Sequence, residues 1–255
     1  MGRLSSLMTS LLDTHEQVPG CWTTSSTVAV SARALRGRGH ASVLPSVTVS
    51  ADDVVGTWLA DAAHAESVSW MALRAVEREL LAHDAPEPLA RGARRIAAAA
   101  LHNAAVLESM ALRWGVRPRQ PKVVSIAVRP LDALAAENAG QGCVRETWAA
   151  LEAQYQSLYA RDPVIRRTMR RIATDGLRHA EFSWSVDSWA SRRLGPQGRD
   201  RVAQARAQAV ADVLEALSVE RERCLCIEAG LPTAATARGL AQALAEVLWS
   251  RARAS

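Results

Sequence analysis

Glu66, Glu146 and His179 are the residues of this 255-residue chain whose types and placement could do chemistry. Two carboxylates and one imidazole form a ligand set compatible with a single non-haem iron, manganese or zinc ion. Other chemistries lack their parts. The four cysteines, Cys21, Cys143, Cys224 and Cys226, are too few and scattered for a disulfide framework. Cys224 and Cys226, two apart on a helical stretch, point to different sides. Reduced thiols and a cytoplasmic location are the expectation. No phosphate loop, nucleophile constellation or dinucleotide fingerprint stands out.

Helices must position the three candidates. Apolar types make up 49 % of the chain and aromatics only 4 %, a poor supply for a β-sandwich or barrel. Ser50 and Asp53 signal the start of a first helix that runs to about His83, ahead of Asp84-Ala85-Pro86. A second covers about 87–114 and stops at Gly115. Residues 116–130 carry Pro118, Pro121 and Pro130 and cannot form one helix. A third tract, 131–160, is expected to break near Gly140 and Gly142. Asp162 as cap and Pro163 at the first position begin a fourth, to about Leu194. Two further helices, about 198–228 and 233–252, end the chain. Residues 1–49 form an N-terminal extension in which 27–35 and 41–49 are β-prone runs suited to a hairpin or irregular structure.

Tight turns join helices one and two, and three and four, while a long crossover separates the pairs. That is the connectivity of a ferritin-like four-helix bundle, here spanning 50–194, with 195–255 as a C-terminal extension packed on it. Such bundles hold two metal ions at mid-height, with a Glu from each of two helices and Glu-x-x-His from the others. Glu66 lies 17 residues before His83, and positions 100 and 103 lie 13 and 16 after Glu87. Glu146 lies 14 before Ala160, and positions 176 and 179 lie 13 and 16 after Pro163. These heights agree within about one helical turn. A complete site, however, needs Glu, His and Glu where this chain has Ala100, Asn103 and Gly176.

Local motifs carry a resemblance. The chain reads Glu66-Ser67-Val68-Ser69 and Glu79-Leu80-Leu81-Ala82-His83-Asp84-Ala85-Pro86 in its first long helix. It then reads Gln141-Gly142-Cys143-Val144-Arg145-Glu146-Thr147 and Asp175-Gly176-Leu177-Arg178-His179-Ala180-Glu181. Over about residues 50–250 it resembles a bacterial group of ferritin-like domain proteins of the rubrerythrin type. The resemblance implies a di-iron centre, and the departures imply that the centre is degenerate. Ala99-Ala100-Leu101-His102-Asn103-Ala104 replaces the acid and histidine of helix two, and Gln141 replaces another Glu. Losing two bridging acids removes about two negative charges from a site that must neutralise two cations.

The expected function is therefore that of a binding or structural pseudo-enzyme, not an active ferroxidase, with no cofactor. The alternative is a mononuclear oxidoreductase holding one Fe, Mn or Zn ion at Glu66, Glu146 and His179. In the plainer reading His179 is a core histidine hydrogen-bonded to Glu146 or Glu66, and the carboxylates pair with arginines such as Arg178 or Arg145. His102 is a candidate displaced ligand, and Asp175 with His179 a candidate shifted pair. Trp70, four residues after Glu66, is expected to project into the same interior.

The net charge of +5 comes almost wholly from arginine against acids, Lys122 being the single lysine. Clusters such as Arg166, Arg167, Arg170 and Arg171 read as a solvated face more readily than as a nucleic-acid surface. No stretch reaches the roughly 18 apolar residues of a membrane span. Partners are expected among small molecules or proteins, and a homodimer is left open.

Overall fold

The computed structural model describes residues 2–15, 51–122 and 127–249, and these are all-α without a strand. The helices are α1 (Gly2–His15), α2 (Ala51–Ala82), α3 (Glu87–Arg113), α4 (Leu131–Glu137), α5 (Glu146–Tyr159), α6 (Pro163–Ser191), α7 (Pro196–Ala216), α8 (Arg223–Glu228) and α9 (Ala234–Leu244). Two π-helical segments, Asn138–Arg145 and Ala245–Trp249, continue α4 and α9. No described helix is long and apolar enough to cross a membrane.

The helix ends follow local chemistry. Asp162 accepts from the amides of Val164 and Ile165 at 2.7 and 2.9 Å and caps α6, with Pro163 following as expected. Gly115 at φ +77° ends α3 in a Schellman motif, its amide reaching Leu112 O and that of Val116 reaching Ala111 O, both 3.0 Å. Asp84 does the same for α2 with φ +52°, and Ala85 N bonds Leu80 O at 2.9 Å.

The turn at Asp84-Ala85-Pro86 folds α3 back along α2, and residues 160–162 fold α6 back along α5. The pairs meet where α3 crosses α6. A stripe of alanines on α3, at 90, 93, 97, 100, 104 and 111, is buried and lets its neighbours approach closely. Apolar layers fill the interior along the helices. One contains Val55, Leu59, Ala63, Leu107, Ile165 and Met169; another contains Leu73, Ala97 and Ala100 with Trp70 against them; a third contains Leu80, Ala93, Leu134, Val186 and Trp189.

In the connection between α3 and α4, Arg119 and Arg129 both contact α2. His64 Nδ1 lies 2.8 Å from Arg119 O near one end. At the other, Arg129 donates from its backbone and side chain to Glu79, with Arg129 Nε 2.6 Å from Oε1, and His83 Nε2 lies 2.7 Å from Arg129 O. His64 and Glu79 are about 22 Å apart along α2 at 1.5 Å per residue. Glu79 is 2 % exposed, and burial alone would raise its pKa; the Arg129 hydrogen bonds and charge hold it below the usual carboxylate range. Arg129→Ala is expected to cost about 2 kcal/mol in urea denaturation, below the usual cost of orphaning a buried charge. The residue's own amide still donates, and Glu79 can take a proton instead.

Three expectations change. The third tract does not break at Gly140 and Gly142. It widens into the π-helical segment, with Glu146 N bonded to Gln141 O across five residues. A continuous helix 198–228 is interrupted at 217–222, because the chain must turn to bring Ile227 O and Glu228 O to the amides of Arg161 and Asp162 at 3.0 and 3.2 Å. At the N-terminus α1 is a helix whose Met8, Leu11 and Leu12 share one face and bury among Trp148, Leu151, Leu240 and Leu244. The β-prone runs 27–35 and 41–49 lie outside the described residues.

Candidate functional site

Four helices each send one polar side chain to a common level. Glu66 comes from α2, Asn103 from α3, Glu146 from the start of α5 and His179 from α6. The level lies between the apolar layer of Ala63, Leu107 and Met169 and that of Leu73, Ala97 and Ala100. His179 Nδ1 is 3.1 Å from Glu146 Oε2, and the Asn103 amide lies beside Glu66, close enough to favour its charged form. The three sequence candidates thus converge.

The π-helical segment sets where Glu146 points. Gly142 lies so close to α6 that a Cβ on it would sit 2.5 Å from Ser183 Oγ. Asn138 Nδ2 donates to Ser183 O at 2.9 Å, and Ser183 Oγ bonds His179 O at 3.1 Å, which ties the segment to the turn carrying the imidazole. Thr147 Oγ1 bonds Cys143 O at 2.7 Å and accepts from Trp184 Nε1 at 3.3 Å. The widened turn rotates the helix phase just before Glu146, so the carboxylate meets His179.

Burial and charge divide the three titratable groups. Burial, reinforced by the charge of Glu146, pushes Glu66 up to about 8, although His179 and Asn103 oppose it. Glu146 is held below its ordinary value: burial would raise it, but the charge and hydrogen bond of His179 outweigh that. His179 is raised above its ordinary value for the mirror-image reason, the charge and hydrogen bond of Glu146 overcoming desolvation. Around neutral pH the centre therefore holds one ion pair and one protonated carboxyl. Glu146 keeps 31 % of its side-chain surface exposed and His179 13 %, so solvent reaches the pair.

No family model, characterised protein or solved structure matches this chain.

The other sequence candidates go elsewhere. His102 is exposed. Asp175 bonds Arg178 at 2.9 Å, and Arg145 bonds Asp212 at 2.8 Å, so neither arginine serves the central carboxylates. Trp70 does face inward, packed with Ala100. A Cβ on Gly176 would lie 3.3 Å from Ala150 Cα and Cβ, so the α5–α6 contact already occupies the space a side chain would need. Cys143 is buried, and desolvation drives its thiol pKa far up, which leaves it inert as a nucleophile. The role of Asn103 as partner of Glu66 was not legible in advance. Its position on the shared level was the available signal. Among the described residues, no group of three or more His, Cys, Asp and Glu is arranged to hold a metal ion.

Proposed function

We propose that this chain is a ferritin-like four-helix protein whose di-iron carboxylate site has become a self-satisfied polar centre, and that it acts as a binding or structural pseudo-enzyme rather than a ferroxidase. The observation that carries the reading is the pairing within the centre: His179 on Glu146 at 3.1 Å, with Asn103 beside Glu66. His179 Nδ1 and Glu146 Oε2 face each other, and Asn103 faces Glu66, where a cation would otherwise be bound. The donor set does not suit a pair of dications. Among the described residues only two carboxylates, Glu66 and Glu146, reach this level, whereas two dications need several carboxylates to offset their desolvation. Two of the missing ligands fall at Ala100, packed against Trp70, and at Gly176, closed off by Ala150.

Aerobically purified protein titrated with Fe(II), Mn(II) and Zn(II) is expected to retain well under one equivalent of each after gel filtration. It is also expected to show no iron oxidation above the protein-free rate. Two retained equivalents of iron with oxidase turnover would overturn the reading.

The convergence of Glu66, Glu146 and His179, with surface that water can reach, favours a second reading: a mononuclear oxidoreductase with one Fe, Mn or Zn ion at these residues. It requires Glu66 to lose its proton and the Glu146–His179 contact to open. His179→Ala separates the two. Affinity for a bound ion would fall tenfold or more if the imidazole is a ligand, and would not change if it is an ion-pair partner.

A further inference from the structure

Beside the centre, α3 and α6 leave a groove of about 190 Å³ lined by Asn103, Val106, Arg167, Thr168, Arg171 and Ile172. We infer that this groove binds a small organic anion, a carboxylate or phosphate monoester with a short apolar body.

The lining supplies both halves of such a ligand. Val106 and Ile172 form an apolar wall continuous with the interior layer of Leu107, Ile165 and Met169. Arg167 and Arg171, one helical turn apart on α6, edge the groove. Neither has an acidic partner among the described residues, which leaves both guanidinium groups available to an anion in the groove. Two like charges four residues apart on a helix repel, and a shared anion relieves that repulsion. Guanidinium groups fit carboxylate and phosphate oxygens bidentately, and the Thr168 hydroxyl adds a neutral donor. Asn103, 4 % exposed, forms the floor and leads to Glu66. A groove of about 190 Å³ accommodates an anion of a few carbons.

The site goes beyond the reading of the centre, because its ligand touches neither His179 nor Glu146 and its test does not depend on metal. Amide and Asn side-chain NMR signals of the full chain are to be followed during titration with butyrate, propyl phosphate, inorganic phosphate, neutral butyramide and a short DNA duplex at two salt concentrations. Saturable shifts at Asn103, Thr168 and Ile172 are expected with butyrate or propyl phosphate, with half-saturation on the order of a millimolar. Inorganic phosphate is expected to bind several-fold more weakly, and butyramide not to saturate. Arg167→Gln with Arg171→Gln is expected to weaken binding at least tenfold, and Arg170→Gln to leave it within about twofold.

Three outcomes overturn the inference. One is no saturation by either organic anion up to about 20 mM. Another is equal binding by the double variant. The third is a response only to duplex nucleic acid, with steep salt dependence spread over Arg166, Arg167, Arg170 and Arg171, which makes the feature a general basic face.

Discussion

His179→Ala is expected to destabilise the protein by about 3 kcal/mol near pH 6, measured by urea denaturation. Removing one partner of a buried ion pair typically costs 3–5 kcal/mol, because the other charge is left uncompensated in a poorly solvated site. The low end applies here, since the accessible surface of Glu146 lets water solvate part of the orphaned carboxylate. The loss depends on pH in a defined sense. Glu146 has a depressed folded pKa, so its contribution is present above its unfolded value near 4.5 and disappears as pH falls through the folded one. His179 has a raised folded pKa, so its contribution is complete below its unfolded value near 6.5 and disappears as pH rises through the folded one. The pair therefore contributes most between about pH 4.5 and 6.5, and the gap between wild type and variant should narrow on either side. Replacing both partners by leucine is expected to cost less than His179→Ala alone, because no charge is left behind. A loss below 1 kcal/mol at pH 6 with no pH dependence would show that the two side chains do not pair in solution.

Much of this centre was legible in the sequence because helical geometry is nearly rigid. Counting residues from the turns places Glu66, Glu146 and His179 at one height, since every residue adds the same 1.5 Å, and the α6 start rests on the local chemistry of Asp162 and Pro163. What was not legible depends on contacts distant in sequence. Gly140 and Gly142 read as a break, but the nearness of Ser183, some forty residues on, makes a widened turn the better solution. The stop after Ala216 carries no proline or glycine; it follows from hydrogen bonds that α8 makes with the α5–α6 turn. Arg145 and Arg178 are near the carboxylates in sequence, yet Arg145, at the end of the π-helical segment, bonds Asp212 and Arg178 bonds Asp175. Periodicity located the faces, while partner choice waited on the packing of whole helices.

Glu66→Gln is expected to flatten the fall in stability that the wild type shows as pH rises from about 5 to 8. Folded Glu66 has its pKa pushed up to about 8, far above the 4.5 of an exposed glutamate, chiefly by burial and then by the neighbouring Glu146 charge. The folded state thus keeps this proton after the unfolded chain has released it. Stability then falls with rising pH at up to about 1.4 kcal/mol per unit across that window, or about 3 kcal/mol by pH 7. Glutamine matches the volume, bears no proton to lose and can still accept from Asn103. The variant should equal the wild type near pH 4.5 and exceed it progressively toward pH 8, in urea midpoints taken at unit intervals. The Glu146–His179 pair remains in both proteins, so its own pH dependence largely cancels in the difference. Parallel curves would place an ionised Glu66 at the centre throughout, and with it the negative charge that a bound cation would need.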